Sequence, residues 1–280
     1  MAQKNPLQRQ SKSCNLQRPL GVTTQKQSGA KNLNLKRNDQ MKLLSTNANN
    51  TKIRKSQEQS GLRIASLSLY PNDLICSGAK LALCMKPCLK DAGFGIFPNV
   101  KDGRQSKTDF YLQDQKAFLA QLRKEIRNFI SLCLKTGESP AFRLNTISDI
   151  DWVKHGIPQE FPEAYFFDYT KVAARLGRTP PNYDLIFSYS QNPAYQKQVA
   201  RALQTDAPLA VVFRGFVPVG SYFLGREIVD GDQSDILNQK QKGKIVGLKL
   251  KGNEAKKSQS LFIVEPSQAC PAPSFAIAAE

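Results

Sequence analysis

Four short apolar runs in the second half of the chain constrain its fold more than any other feature. They are residues 141–146 (AFRLNT), 164–168 (AYFFD), 183–188 (YDLIFS) and 208–213 (PLAVVF). Strands that are apolar along nearly their whole length have both faces covered, which is the habit of parallel sheets. Helix-period stretches around 150–154, 169–176 and 193–203 separate them. Strand and helix in strict alternation form βαβ units. At least four such units in series favour a barrel or partial barrel over a doubly wound sheet, and either places functional groups at the C-terminal ends of the strands.

Upstream, residues 62–69 alternate weakly as a strand. Residues 108–136 carry apolar side chains at three- and four-residue steps, with Thr108 or Asp109 to cap the helix and Gly137 to end it. Downstream, residues 243–250 and 260–264 read as two antiparallel strands joined by a Gly/Lys-rich turn. The expected fold is therefore α/β: a partial or complete (β/α) barrel-like domain over residues 61–265 with a small antiparallel C-terminal element. A disordered tail, 1–60, precedes it, and a frayed one, 266–280, follows it.

The strand-end rule selects candidate site residues. Asn145, Ser148 and Asp149 follow the first run, Asp168, Thr170 and Lys171 the second, Ser188 and Ser190 the third, and Arg214 the fourth. As a ring around a crevice, Asp149, Asp168, Lys171 and Arg214 would be the catalytic groups. Asn145, Ser148, Ser188 and Ser190 would hold a cofactor. The plainer reading has Asp149 and Asp168 capping the helices that come next.

The segment CSGAKLALCMKPC sets Cys76, Cys84 and Cys88 directly after the first predicted strand. Thiolates are soft ligands that suit zinc and iron–sulfur clusters. Three without a fourth nearby fit a cluster that leaves one iron open. A zinc site would need Cys133 or His155 from afar. The bland alternative is three small buried apolar side chains. Asp230, Asp232 and Asp235 share one turn but lack the twelve-residue calcium pattern, so a solvated turn competes with a cation loop. His155, the single histidine, reads as a surface or capping residue rather than a general base. No P-loop, G-x-S-x-G or H-E-x-x-H is present.

The net charge of +17 is concentrated: residues 1–60 hold twelve Lys/Arg against Asp39 and Glu58, and no aromatic residue. Such a segment cannot bury enough apolar surface to offset its ordering entropy, apart from a short helix around 41–44. It can tether nucleic acid through phosphates, or simply keep the chain soluble. The rest carries +7, with no helix-turn-helix and no stacking platform of aromatic and basic residues. No run approaches the roughly 18 apolar residues of a membrane span, and the first residues lack the short apolar core of a secretory signal, so export is not expected. Six cysteines at uneven spacing fit a reducing compartment, so the cytoplasm is the expected location.

Taken in order, the cysteine segment, RLNTISDIDW, FFDYTK, DLIFSYS, AVVFRG, GREIVDGDQSD and KIVGLKLKG resemble the phage gene-product-88 family of phage and plasmid proteins, over roughly residues 60–265. That resemblance implies a phage or plasmid accessory role, in some members replication-associated, and no particular activity. The cysteine triplet before a βα series is also similar in architecture to radical S-adenosylmethionine enzymes. This second likeness implies a [4Fe–4S] cluster on Cys76, Cys84 and Cys88 and S-adenosylmethionine as cofactor. The expected function is an iron–sulfur enzyme of radical type. The alternative is a nucleic-acid-binding accessory protein with structural zinc or no metal.

Overall fold

The structure is a computed structural model, and it describes residues 41–46 and 51–271. Strand β1 (Leu44–Ser45) pairs antiparallel with β2 (Leu62–Leu67). From β2 the sheet continues in chain order through β3 (Ser139–Arg143), β4 (Tyr165–Thr170), β5 (Tyr183–Ser188) and β6 (Leu209–Phe213), all parallel. The order then inverts. β9 (Ile245–Lys249) lies parallel beside β6, β8 (Arg226–Asp230) parallel beside β9, and β7 (Tyr222–Phe223) antiparallel on β8. β10 (Ile263–Val264) pairs parallel with the C-terminal half of β6. The helices are α1 (Thr51–Ser60), α2 (Ala79–Ala82), α3 (Pro98–Gln113), α4 (Gln115–Thr136), α5 (Ile157–Glu160), α6 (Gln196–Leu203), α7 (Asp235–Gln239) and α8 (Asn253–Lys257).

The α/β class and the parallel core match the expectation. The barrel is not confirmed: the hydrogen-bonded path runs from β1 to β7, and no ladder joins those two among the described residues. The antiparallel C-terminal element is corrected, because β9 and β10 both run parallel to β6. Successive strands that run parallel in one sheet need a crossover rather than a hairpin turn, and the connection between β9 and β10 carries α8 within the lysine-rich stretch. The long predicted helix is two, broken at Asp114, whose side chain accepts the Ala117 N–H at 3.0 Å and restarts the helix as its N-cap. Thr108 therefore lies inside α3, bonded through its hydroxyl to the Arg104 carbonyl. Gly137, at φ 69°, does end α4.

Order also begins earlier than residue 62. Residues 44–45 form a strand rather than the expected short helix. α1 buries Ile53 against Ile64, Ala141, Phe167 and Ile236, while its Ser56 hydroxyl accepts the Asp235 N–H at 2.9 Å. One apolar contact and one buried hydroxyl leave almost no periodic trace, which hid this helix in a polar segment. The tail expectation for residues 1–40 and the fraying expected at 272–280 fall outside the described residues. Pro266–Gln268 forms a 3₁₀ turn, and Cys270 bridges to Tyr222. Among the described residues no helix is long and apolar enough to cross a membrane.

Strand alternation gives the sheet two different faces. On one, Phe142 meets Phe129 of α4, with ring centroids 5.4 Å apart, and Phe187, Val211 and Phe213 pack with Val199 and Ala202 of α6. On the other face, the N-terminal halves of β2–β4 are covered by α1 and α7 through Ile64, Ala141 and Phe167. Further along, that face bears Ser66, Arg143 and Tyr169 on the same strands and Ser188 on β5, and there a cavity opens.

Candidate functional site

The cavity encloses about 1070 Å³ above the C-terminal ends of the parallel strands. Cys76, Cys84 and Cys88 all line it. Asn72 starts the cysteine loop by accepting the Leu74, Ile75 and Cys76 N–H groups through its side chain and carbonyl. The Ile75 carbonyl accepts the Asp149 N–H at 2.9 Å, which ties the loop to the end of β3. Four residues of α2 follow, ended by Leu83 in the left-handed region (φ 57°), and the chain turns back so that Cys84 N–H meets the Ala79 carbonyl at 3.1 Å.

Gly78 lets this loop lie on the end of β4. A Cβ there would stand 2.6 Å from the Lys171 Cβ, closer than two carbons can approach. Gly78→Ala is expected to cost about 1–3 kcal/mol by overpacking. It should also lift the loop, so that the three thiols react faster with a thiol reagent. Urea unfolding and thiol titration check the two effects, and unchanged thiol rates would contradict the role given to Gly78.

The sulfurs feel one another: each of Cys84 and Cys88 raises the pKa of Cys76. Burial is the larger cause and pushes the Cys76 thiol up to about 12, with the Lys171 ammonium pulling the other way. Burial raises Cys84 and Cys88 as well. The free thiols are therefore protonated at neutral pH, and taking up a metal must release their protons. For Lys171, burial opposes the charge. The Asp149 carboxylate, and the three sulfurs in their thiolate form with Cys84 first, raise its pKa against that burial.

Seven of the eleven residues given a catalytic, cofactor or metal role share this cavity: the three cysteines, Asn145, Ser148, Lys171 and Ser188. Asn145 braces its rim, since its side-chain oxygen accepts the Ser148 hydroxyl and the Ile150 N–H, each at 2.9 Å. The other four stand elsewhere. Asp149 lies behind the rim, accepting the Lys171 N–H at 2.9 Å and pairing with Arg175 at 2.7 Å. Asp168 is on the opposite face of β4, bonded to the Asn145 N–H and the Tyr183 hydroxyl. The Ser190 hydroxyl donates to the Leu261 carbonyl, and Arg214 clamps the C-terminal segment through Glu265, Lys256 and Ser258. The aspartate turn is dispersed: Asp232 pairs with Lys251 and Asp235 with Arg143, while Asp230 accepts the Asp232 N–H. His155 packs beside Trp152 with its Nε2 3.0 Å from the Tyr111 hydroxyl, and burial lowers its pKa.

Sequence reasoning missed the cations of this cavity. Arg104, Lys107, Arg143, Lys249 and Lys251 line it with Lys171, against Asp232 as the single lining carboxylate among the described residues. Arg143 carried a readable signal, being a charge inside an apolar strand. Arg104 and Lys107 lie in a polar stretch where any lysine or arginine is ordinary, and Lys249 and Lys251 alternate with leucines as they would on the wet side of a strand. Among the described residues, no three His, Cys, Asp or Glu side chains stand close enough as placed to share one ion.

Compared with known proteins, residues 37–265 match the family described as gene product 88. No curated protein and no solved structure matches the chain. The architectural likeness to radical S-adenosylmethionine enzymes finds no support.

Proposed function

Because the chain belongs to the gene product 88 family, whose description names no reaction, we infer its function from the cavity. We propose an enzyme that carries an iron–sulfur cluster on Cys76, Cys84 and Cys88. The observation behind this reading is that three cysteines of one thirteen-residue segment line a single cavity, where Cys84 and Cys88 both act on the ionisation of Cys76. Zinc needs its ligands within about 2.3 Å of one point, and usually four of them. The sequence offered Cys133 or His155 as the fourth. Cys133 is buried in α4, His155 is held against Tyr111, and neither lines the cavity. A cluster spreads its thiolates over separate irons and tolerates wider spacing. When bound it supplies electron transfer and, at an iron without a protein ligand, a place for substrate.

The chain's own residues supply the setting. The Lys171 ammonium offsets part of the negative charge of three thiolates, as the direction of the Cys76, Cys84 and Cys88 interactions with it indicates. Asn145, Ser148 and Ser188 give the same chamber a polar rim.

Anaerobic reconstitution with iron and sulfide tests the proposal. The wild-type chain should turn brown and hold iron and acid-labile sulfide in matching amounts. Cys84→Ser should lose most of both while keeping the unfolding midpoint of the metal-free protein. A wild-type chain that stays colourless and iron-free sinks the cluster, as does a Cys84→Ser chain that loads equally well.

A further inference from the structure

The cavity is much more basic than a cluster of thiolates requires, and part of that charge has no partner among the described residues. Lys107 donates to the Leu43 carbonyl at 2.8 Å, Arg143 pairs with Asp235, and Lys251 pairs with Asp232. The Arg104 guanidinium and the Lys171 and Lys249 ammonium groups make no hydrogen bond or ion pair among the described residues. Arg104 Nη1 is fully shielded from solvent and still unbonded, and so is Thr146 Oγ1 on the same cavity wall. A buried donor without an acceptor costs about 1–3 kcal/mol, more when charged. Such groups mark a place that a ligand completes.

The geometry holding Arg104 is specific. Gly95 packs so closely that a Cβ on it would stand 3.0 Å from Arg104 Nη1 and 2.3 Å from the Lys90 carbonyl oxygen. Both Arg104 and Lys171 lie near enough to Cys88 to interact with it electrostatically. Beside Arg104, the turn Gly93–Ile96 and Phe97 present an uncovered apolar edge. Phe94 is 63% exposed and Phe97 48%, with ring centroids 6.2 Å apart, and both line the cavity mouth. Large aromatic rings left in water beside unpaired cations match a ligand that is flat and apolar at one end and anionic at the other. Bases stack on aromatic side chains, and arginine recognises phosphate through charged hydrogen bonds. Few other common ligands combine both.

We propose that this cavity binds a nucleoside monophosphate unit, with the phosphate at Arg104 and Lys171 and the base against Phe94 and Phe97. The nucleotide is either free or an unpaired nucleotide of a nucleic acid strand. The site stands on the cations and rings, not on the cluster. Binding and cluster loading are read separately, so either can fail alone.

The experiment is calorimetric titration of the full-length chain, free of metal, with AMP, CMP, GMP and UMP, and with ribose 5-phosphate and inorganic phosphate as controls. At least one nucleotide should bind, and more tightly than ribose 5-phosphate. Arg104→Ala should weaken it by about tenfold or more, the scale of a charged hydrogen bond. The double variant Phe94→Ala/Phe97→Ala, on an exposed edge that folding does not need, should weaken the nucleotide and leave ribose 5-phosphate unchanged. A labelled single-stranded oligonucleotide separates the sources. If the best nucleotide displaces it, the strand enters the cavity. If the nucleotide binds without displacing it, the ligand is the free form. No nucleotide binding by the wild type overturns the proposal. So does affinity unmoved by Arg104→Ala, or an aromatic double variant that weakens ribose 5-phosphate as much as the nucleotide.

Discussion

Replacing Arg143 by methionine is expected to remove about 3–5 kcal/mol of folding stability, because it strands a carboxylate in the interior. Arg143 ends β3 on the cavity face and pairs with Asp235, which opens α7 and is fully buried. The Tyr169 hydroxyl donates to the same carboxylate at 2.9 Å, and the Arg143 guanidinium lies 5.1 Å from the Tyr169 ring centroid. The pair thus joins β3, β4 and α7 beneath the cavity floor. Removing the cation leaves a buried carboxylate without its counter-charge at low dielectric. Removing both charges together, in Arg143→Met/Asp235→Leu, should restore most of the loss, since apolar replacements of buried pairs are often neutral or better. Urea unfolding of the single and double variants measures both. A single variant within about 1 kcal/mol of wild type would mean that water reaches Asp235.

Stability should also fall as pH rises from about 4 to about 7, because of Asp168. This carboxyl is buried on the helix face of β4. Burial pushes its pKa up to about 7, against the Asn145 N–H, Arg143 and the Tyr183 hydroxyl, which all favour the charged form. A raised folded pKa means that the native state holds the proton after the unfolded chain has released it. The resulting stabilisation is complete below about pH 4 and is lost through about pH 7, at up to about 1.4 kcal/mol per pH unit and on the order of 4 kcal/mol in all. Asp168→Asn keeps groups for the Asn145 N–H and the Tyr183 hydroxyl and has no proton to lose, so its profile should be flatter by that slope. Unfolding free energies of both chains across this range decide the point, and parallel profiles would contradict it.

Asp168 also illustrates what a sequence conceals. The strand run around it was readable, and Tyr183–Ser188 matches its predicted bounds, because a buried parallel strand must be apolar nearly throughout. Which way a side chain at a strand end points depends on register. Asp168 and Lys171 were grouped by position, yet one faces the helices and the other the cavity. The cysteines were legible because three thiols in one segment are rare by chance. The Arg143–Asp235 pair, 92 residues apart, had only a half-signal in an arginine placed between Phe142 and Leu144. The break at Asp114 was hidden by periodicity that resumes in phase on its far side. The parallel setting of β9 and β10 is a matter of long-range topology, on which local composition is silent.

The strand order has a consequence for a chain still being made. β2 to β6 can each settle on the strand before it as they leave the ribosome, since neighbours in the sheet are neighbours in synthesis. β8 cannot, because the strand that connects it to β6 is β9, which is synthesised after it. Until Ile245–Lys249 has emerged, the apolar edge of β6 stays unpaired and the β7–β8 ribbon has no sheet to join. A nascent or truncated chain halted at that stage exposes a sticky edge of the kind that recruits other chains.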